Sequence, residues 1–294
     1  MNKVGFIGVG IMGKSMVRNL MKSGFELHIY ARTKSKVEDV IGEGAQFHES
    51  IKDCVQDCDA VITIVGFPQD VEEVYFDQGN ILDSAKKGAY LIDMTTTSPQ
   101  IAEKIYEEGT KRGFHVMDAP VTGGDTGAKA GTLSILVGGE KEDYEACMPL
   151  FEAMGTNINY QGKAGCGQHC KLANQIMIAG TLSGVCEALT YAKEQGLDPE
   201  VFMKSVATGA AGSKQLDTFG PKILKDDYAP GFFMKHFIKD MKLALIEANR
   251  KGLSLDVLSM VLANYEELEQ EGYGDLGTQA LMKFYDEEHR NTEE

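Results

Sequence analysis

Three polar side chains stand at helical spacing in an otherwise apolar stretch and suit proton transfer. Lys171, Asn174 and Gln175 occupy positions i, i+3 and i+4 of a segment without proline that runs from residue 165 to residue 195. On a helix these positions share one face, and Gly167 leaves room one turn earlier. A lysine beside an amide can protonate a carbonyl oxygen while the amide positions the substrate. A stripe of solvated side chains is the alternative, and the spacing alone does not separate the two.

A glycine motif near the start of the chain predicts a dinucleotide site. Gly8, Gly10 and Gly13 have the spacing G-x-G-x-x-G and follow the apolar run that begins at residue 4. Such glycines allow a tight turn, the approach of a pyrophosphate and the packing of a helix on its strand. The helix N-terminus then directs its amides at the phosphates. Ile11 and Met12 lie inside the motif and are expected to contact the same cofactor.

The end of the second predicted strand indicates which dinucleotide is used. An NAD site would place an acidic residue about twenty residues after the glycines, to bind the ribose hydroxyls. Ala31 stands there and cannot do so, whereas Arg32 and Thr33 offer a positive charge and a hydroxyl. This combination suits a 2′-phosphate, so the sequence favours NADP, with NAD possible. An exposed basic turn is the alternative, and it would leave the cofactor preference open.

Further candidate contacts lie where the other predicted strands end, since open parallel sheets bind ligands at those ends. Val65 ends one strand and is expected to pack on the cofactor. Residues 95–98 carry four hydroxyl groups before a proline, and one of them is expected to face the nicotinamide while others cap a helix. Gly123 and Gly124 belong to a loop with six glycines, residues 118–139, and can donate amides to a carboxylate. A wide connection is the alternative for that loop.

Two domains are predicted to position these residues. Residues 1–163 alternate short β-rich runs with amphipathic helical stretches, which is typical of a doubly wound parallel sheet. Residues 164–294 have helical patterns throughout and begin with one long interdomain helix. The sequence therefore predicts an α/β fold, with an N-terminal Rossmann-type domain followed by an all-α domain. The predicted strands are residues 3–7, 27–30, 60–65, 89–93, 115–118 and 133–137.

Composition and charge exclude several classes of protein. The net charge of −15 argues against binding to nucleic acid, because a phosphate backbone would be repelled. We expect no membrane partner and a cytoplasmic location, since no apolar run approaches the length of a bilayer and the start is unlike a secretory signal. Free thiols are expected for the six cysteines. Cys166, His169 and Cys170 form one possible metal cluster, but no second ligand pair has zinc-like spacing, so no metal is expected.

Five motifs, in order and spacing, resemble the β-hydroxyacid dehydrogenases. This family includes 3-hydroxyisobutyrate dehydrogenase, tartronate semialdehyde reductase and the glyoxylate and succinic semialdehyde reductases, and the last two look closest. The resemblance covers nearly the whole chain. Its motifs are GFIGVGIMGKSM from Gly5, DMTTTSP from Asp93, DAPVTGGDTGAKAGTLSILVGG from Asp118, GCGQHCKLANQ from Gly165 and FIKDMKLAL from Phe237.

This resemblance implies a role for each matching residue. Lys171 matches the family's catalytic lysine, and Asn174 matches the neighbouring amide that holds the substrate. The family's substrate-carboxylate loop corresponds to Thr122 with the two glycines after it. Thr96 and Lys239 match cofactor contacts, and two further residues, Phe232 and Asp240, look like a pair that closes the pocket. Thr122 replaces the family's usual serine, and Gln175 replaces a common asparagine.

The predicted activity is the interconversion of a small 3-hydroxy acid and its semialdehyde by an NAD(P)-dependent oxidoreductase. The expected partners are a small carboxylate-bearing substrate and further copies of the chain, as a homodimer or homotetramer. An imine reductase of the same fold and a noncatalytic NADP-binding sensor remain as alternatives. Lys171 argues against both, because the first class usually lacks a lysine there and the second has lost it. The longer helical domain of 6-phosphogluconate dehydrogenase does not fit in 294 residues.

Overall fold

The computed structural model describes residues 1–285 and divides into two units, Met1–Lys171 and Leu172–Glu294. Residues 286–294 of the predicted second domain lie outside the described range. The strands are β1 (Lys3–Ile7), β2 (Glu26–Tyr30), β3 (Gln46–Phe47), β4 (Ala60–Thr63), β5 (Tyr90–Asp93), β6 (His115–Asp118), β7 (Val121–Thr122), β8 (Leu133–Gly139) and β9 (Gly155–Gly162).

Helices connect these strands and form most of the second unit. They are α1 (Ile11–Lys22), α2 (Glu38–Gly42), α3 (Ile51–Val55), α4 (Pro68–Phe76), α5 (Ile81–Ser84), α6 (Pro99–Lys111), α7 (Gly124–Ala130), α8 (Lys141–Ala146), α9 (Met148–Met154), α10 (Cys166–Glu194), α11 (Pro199–Val206), α12 (Lys214–Ile223), α13 (Met234–Arg250) and α14 (Asp256–Gln270). Three 3₁₀ helices complete the described chain: Lys34–Lys36, Tyr273–Asp275 and Thr278–Tyr285.

The sheet of the first unit has the strand order β3-β2-β1-β4-β5-β6-β8-β7, and β9 pairs with β8. Strands β1 to β6 pair in parallel, whereas β8 runs antiparallel to both β6 and β7. The chain first adds β2 and β3 on one side of β1 and then adds β4, β5 and β6 on the other side. The direction of strand addition therefore reverses between β1 and β4. This topology confirms the predicted Rossmann-type fold, which binds ligands at the strand ends beside such a reversal.

Helices cover both faces of the sheet, so its central strands are apolar on both sides. Val4 and Phe6 of β1 point into one core cluster, while Ile7 points into the other. All three are at most 2% exposed. Alternation along a strand sends neighbouring side chains to opposite faces, and this explains why a continuous apolar run forms β1.

The sequence prediction missed the short and polar strands. β9 has the sequence GTNINYQG and lies at the sheet margin with several exposed side chains, so it lacks the apolar run that marks a buried strand. β3 and β7 have two residues each and carry too little pattern to detect. β4 ends at Thr63, and Val65 therefore lies in the following loop instead of at the strand end.

The second unit is helical and has its own core. Side chains of α10, α12, α13 and α14 form one buried cluster, which includes Leu182, Phe237 and Tyr265. An isolated bridge between Phe233 and Gly277 is its one strand-like pairing among the described residues. α13 begins at Met234, where its buried apolar positions start.

α10 is long and apolar enough to cross a membrane, contrary to the expectation that no run approaches that length. An 18-residue window of this helix has a mean hydropathy of 1.2, and 44% of that window is buried. Buried helices of globular domains have the same length and composition. Leu182, Cys186 and Leu189 of α10 pack in the core of the second unit, which explains the apolar sequence.

Candidate active site

Internal packing requires glycine at two of the three positions of the G-x-G-x-x-G motif. It does not require glycine at the third position. Gly8 has a φ of +98°, and a Cβ atom there would collide with the Ile64 carbonyl. A Cβ atom on Gly13 would collide with the Gly8 carbonyl, because α1 lies directly on the turn. Among the described residues, a Cβ atom on Gly10 would meet no atom within 4 Å. Internal packing does not explain glycine at position 10, whereas close approach of a phosphate does.

The N-terminus of α1 is suited to bind an anion. Its N-cap is Gly10, which has no side chain to cap the helix, and its first turn contains no acidic residue. The first amides of a helix lack intrahelical partners and carry positive partial charge, so they favour phosphate. Ile11 is 46% exposed at this end, and Met12 is partly buried against the core. These residues fit the pyrophosphate of a dinucleotide.

The basic turn after β2 is exposed and already holds one ion pair. The Arg32 side chain is 70% exposed, and its Nη2 lies 3.0 Å from Oδ1 of Asp70 in the first turn of α4. Asp70 also accepts a hydrogen bond from the Phe67 amide at 3.0 Å, which fixes its carboxylate. Thr33 is exposed beside Arg32. A 2′-phosphate at this turn would meet a guanidinium that Asp70 orients.

The loops after β4 and β5 are tied to each other and to the start of α10. The Val65 amide donates to Oγ1 of Thr95 at 3.0 Å. Gln168 is fully buried, donates from Nε2 to the Thr95 carbonyl at 2.7 Å, and accepts at Oε1 from the Thr97 amide at 3.0 Å. Thr96, partly exposed, lies between these two anchored residues. The predicted cofactor loops are therefore held in place by an amide that the sequence analysis did not select.

Asp118, the last residue of β6, fixes the start of the helix that carries Lys171. Its Oδ1 accepts from the Gly165 amide and its Oδ2 from the Gln168 amide, both at 2.8 Å. A Cβ atom on Gly167 would lie 2.7 Å from the Asp118 carbonyl, so a glycine is needed at this approach. Burial raises the pKa of Asp118, although the two amides oppose that shift. Lys171 follows Gln168 by one turn and is 7% exposed.

The loop predicted to bind the substrate carboxylate begins where β7 ends. β7 and β6 both run antiparallel to β8, so Thr122 ends at the same edge of the sheet as Asp118. Gly123 has a φ of +131° and Gly124 a φ of +65°, and both are exposed. A Cβ atom on Gly124 would meet no atom of the described chain within 4 Å. The backbone here is open to a small ligand.

A second polar group lies within the second unit. Nδ2 of Asn174 donates to Oε1 of Gln175 at 2.8 Å, and Nε2 of Gln175 donates to Oδ2 of Asp240 at 2.7 Å. Nζ of Lys239 lies 2.9 Å from the other oxygen of Asp240. Asp240 is fully buried and Gln175 is 2% exposed, whereas Asn174 is partly exposed. Lys239 and Asp240 lie in the second turn of α13, which begins at Met234.

Comparisons with known protein families assign both parts of the chain to one enzyme class. Residues 3–162 match the NAD binding domain of 6-phosphogluconate dehydrogenase. Residues 165–285 match the family described as NAD-binding of NADP-dependent 3-hydroxyisobutyrate dehydrogenase. The chain belongs to the β-hydroxyacid dehydrogenase family. It is therefore an NAD(P)-dependent oxidoreductase, as predicted from the five motifs.

Relatives of this β-hydroxyacid dehydrogenase match over nearly its full length. The uncharacterized oxidoreductase YkwC of Bacillus subtilis is 49% identical, over 96% of this chain and 98% of its own. A probable mitochondrial 3-hydroxyisobutyrate dehydrogenase-like protein of Arabidopsis thaliana is 44% identical, over 95% and 84%. The 2-hydroxy-3-oxopropionate reductase of Escherichia coli is 36% identical over 86% of each chain.

Solved structures confirm the fold. The 3-hydroxyisobutyrate dehydrogenase of Mycobacterium tuberculosis with L-serine has a TM-score of 0.87 and 26% identity, covering 96% of this chain and 98% of its own. An imine reductase of Myxococcus stipitatus with NADP⁺ is more distant, with a TM-score of 0.66 and 18% identity over 97% of this chain and all of its own. The β-hydroxyacid dehydrogenase assignment is thus favoured over the imine reductase alternative.

The β-hydroxyacid dehydrogenase also contains a buried acid at the end of β5 that the sequence analysis did not consider as a site residue. Oδ1 of Asp93 accepts from Oγ1 of Thr63 at 2.8 Å and from the Thr95 amide at 3.1 Å. Its Oδ2 is buried without a hydrogen-bond partner among the described residues. Burial raises the pKa of Asp93 to about 6, against the lowering effect of these hydrogen bonds. The charge of Asp118 adds to the increase.

Phe232 lies beside two other aromatic rings of the second unit. Its ring centroid lies 6.1 Å from that of Phe237 and 6.2 Å from that of His236, and the side chain is partly buried against the core. Its role in closing a pocket stays a prediction, as do the roles of the other site residues. Gln168 and Asp118 were missed because their partners are about 50 to 70 residues away in the sequence.

Proposed function

We propose that this enzyme reduces a small carboxylate-bearing semialdehyde to its 3-hydroxy acid, and catalyses the reverse oxidation, with NADP preferred. NADP bound by these residues would supply the hydride chemistry of this reaction. The names of the relatives support a substrate of this class, since they include a 3-hydroxyisobutyrate dehydrogenase-like protein and a 2-hydroxy-3-oxopropionate reductase.

One observation carries the proposal: a buried lysine lies on a helix whose start is fixed to the ligand-binding edge of the sheet. Lys171 is 7% exposed, and Asp118 and Gln168 tie the preceding turn to the ends of β5 and β6. A lysine held at that edge can give a proton to a carbonyl oxygen there and take it back during oxidation. The lysine therefore acts as the general acid and base.

Other residues of the chain bind and orient the reactants. The open turn at Gly10 and the first amides of α1 take the pyrophosphate, and Arg32 with Thr33 takes the 2′-phosphate. The exposed backbone of Gly123 and Gly124, with the hydroxyl of Thr122, accommodates the substrate carboxylate. A bound carboxylate would keep the carbonyl at a constant distance from these anchors.

A panel of substrates tests the proposed function. Initial rates of NADPH and NADH oxidation are measured with tartronate, methylmalonate and succinate semialdehydes and with glyoxylate, and with a cyclic imine as the competitor. We expect turnover of at least one carboxylate-bearing aldehyde, faster with NADPH, and none of the imine. Turnover of the imine alone, or tight NADPH binding without any turnover, would contradict the proposal.

A second copy of the chain is the proposed protein partner. α10 exposes Met177 and Tyr191, which are 74% and 67% exposed, and α14 exposes Val257 at 60%. These helices are neighbours, because Cγ1 of Val257 lies 3.7 Å from an ideal Cβ position on Gly180. Exposed apolar side chains on adjacent helices are typical of an interface between subunits.

A further inference from the structure

A buried carboxylate at the end of β5 accepts hydrogen bonds from β4 and from the loop after β5. Thr63 and Asp93 are partners in the parallel register of β4 and β5, so their side chains point to the same face of the sheet. Oγ1 of Thr63 donates to Oδ1 of Asp93 at 2.8 Å. The Thr95 amide donates to the same oxygen at 3.1 Å, and the Thr95 hydroxyl also hydrogen-bonds to this carboxylate. Asp93 therefore joins two neighbouring parts of the cofactor-binding edge.

The Thr63 hydroxyl extends this arrangement to the end of α4. A threonine hydroxyl has one proton, and Thr63 gives it to Asp93. The hydrogen bond of 3.2 Å between Thr63 and Tyr75 must therefore be donated by the Tyr75 hydroxyl. Tyr75 is 1% exposed and is the second-last residue of α4. The end of α4 is thus attached to Asp93 through one hydroxyl group.

The Thr95 hydroxyl makes the equivalent connection before the start of α4. It gives its proton to Asp93, and its oxygen accepts from the Val65 amide at 3.0 Å. Val65 lies in the loop that leads from β4 into α4. Residues 65–75, which we call the α4 segment, are therefore attached to Asp93 at both ends, through one threonine hydroxyl at each end.

The α4 segment carries the carboxylate that orients Arg32. Asp70 accepts from the Phe67 amide through Oδ2 at 3.0 Å, and its Oδ1 lies 3.0 Å from Nη2 of Arg32. The Asp70 side chain is 16% exposed, whereas that of Arg32 is 70% exposed. The exposed guanidinium thus takes its position from a carboxylate that is fixed to the start of α4.

Ionisation of Asp93 lowers stability, which indicates a role beyond packing. Burial raises its pKa to about 6, so the side chain is mostly ionised at about pH 7.5. A buried asparagine would offer the same acceptor oxygen without a charge. Hydrogen bonds to an ionised acceptor are roughly twice as strong as bonds between neutral groups. The ionised form therefore reduces stability but holds the two threonine hydroxyls more firmly.

We propose that Asp93 is a positioning residue for cofactor selection, because it fixes the α4 segment and with it the carboxylate that directs Arg32 at the 2′-phosphate of NADP. This inference rests on the proposed preference for NADP and extends it to buried residues. NAD has no 2′-phosphate, so a displaced Arg32 weakens the binding of NADPH and leaves that of NADH nearly unchanged. A loss of folding stability alone would weaken the binding of both cofactors alike.

Removal of one hydroxyl at a time tests this role. The cofactor ratio is defined as the Kd for NADH divided by the Kd for NADPH, measured by fluorescence titration at about pH 7.5. Thr63→Val and Thr95→Val each remove one connection, and we expect each to lower the ratio about three- to tenfold. Thr63→Ser and Thr95→Ser keep the hydroxyl, and their ratios should match that of the wild type. Unchanged ratios in both valine variants would overturn the inference.

A double-mutant cycle tests whether the effect acts through Arg32. Arg32→Ala removes the guanidinium, so Thr95→Val should lower the cofactor ratio no further in that background. An equal loss with and without Arg32 would show that the inference is wrong. The control is Thr278→Val, a buried position of the second unit that is 4% exposed, and it should leave the ratio unchanged. A wild-type ratio near one contradicts the proposed preference for NADP instead.

Amide hydrogen exchange of the cofactor-free enzyme tests the positioning without a bound cofactor. The Phe67 amide reports on Asp70, because it donates to that carboxylate. Its exchange should be about tenfold or more faster in Thr63→Val than in the wild type and in Thr63→Ser, although Thr63 is attached to the opposite end of the α4 segment. Equal exchange rates in these three proteins would overturn the inference, whatever the cofactor preference of the wild type.

Discussion

Arg32 is the residue that we expect to determine the preference for NADPH over NADH. Its guanidinium is exposed and oriented by Asp70 at 3.0 Å, so it has donors that remain available to a phosphate. Arg32→Ala should lower kcat/KM for NADPH by about 10- to 100-fold and leave that for NADH nearly unchanged. Steady-state rates with both cofactors measure this effect. Lys36→Ala, an exposed neighbour, is the control, and an unchanged cofactor ratio in Arg32→Ala would contradict the account.

Asp93 should make stability depend on pH. Burial raises its pKa to about 6, above its ordinary value of 3.8, so the folded protein holds this proton more tightly than the unfolded chain does. The resulting stabilisation is present below pH 4 and is lost as the pH rises through 6, a change of at most about 3 kcal/mol in the free energy of unfolding. Asp93→Asn retains an acceptor for Thr63 and Thr95 and should abolish this loss.

Urea unfolding at pH 4.5 and pH 7 measures the contribution of Asp93. At each pH, the free energy of unfolding of the wild type is subtracted from that of Asp93→Asn. This difference should be larger at pH 7 than at pH 4.5. Asp77→Asn, at an exposed position, serves as the control. A constant difference between Asp93→Asn and the wild type at both pH values would contradict a raised pKa.

At the scale of elements, Gln168 connects α10 to the loop after β5 through both ends of its amide. Gln168→Leu has a similar volume but leaves the Thr95 carbonyl and the Thr97 amide without this partner. Burying unpaired polar groups should lower the free energy of unfolding by about 2 to 4 kcal/mol. Denaturant unfolding measures the change, and Gln78→Leu at an exposed position is the control. A loss no greater than that of the control would show that the connection is dispensable.

The elements could be predicted from sequence where their pattern is local. The apolar run of β1 and the spaced apolar positions of α10 identified both elements to within two residues. β9 was missed because an exposed strand at the margin of a sheet carries few apolar residues. The bond between Gln175 and Asp240 joins residues 65 positions apart, and no local pattern contains it. The predicted site residues were identified from motifs, whereas their positioning partners required the structure.

At the scale of the whole molecule, the exposed apolar side chains of α10 and α14 predict self-association. Val257→Glu places a charge among them and should convert the oligomer to a monomer at micromolar concentration, because burying an unpaired charge is unfavourable. Light scattering after size-exclusion chromatography measures the mass. Val201→Glu, an exposed apolar position on α11, is the control. A monomeric wild type, or a Val257→Glu variant with the mass of the wild type, would contradict this interface.

The central claim is that Lys171 transfers the proton, and the rate of the single hydride-transfer step tests it most directly. Stopped-flow absorbance of NADPH is followed with a saturating semialdehyde for the wild type, for Lys171→Ala and for Lys193→Ala, an exposed lysine on the same helix. Lys171→Ala should slow this step by about 10²- to 10⁴-fold with NADPH affinity unchanged, whereas Lys193→Ala should match the wild type. Hydride transfer at a normal rate in Lys171→Ala would contradict the proposed mechanism.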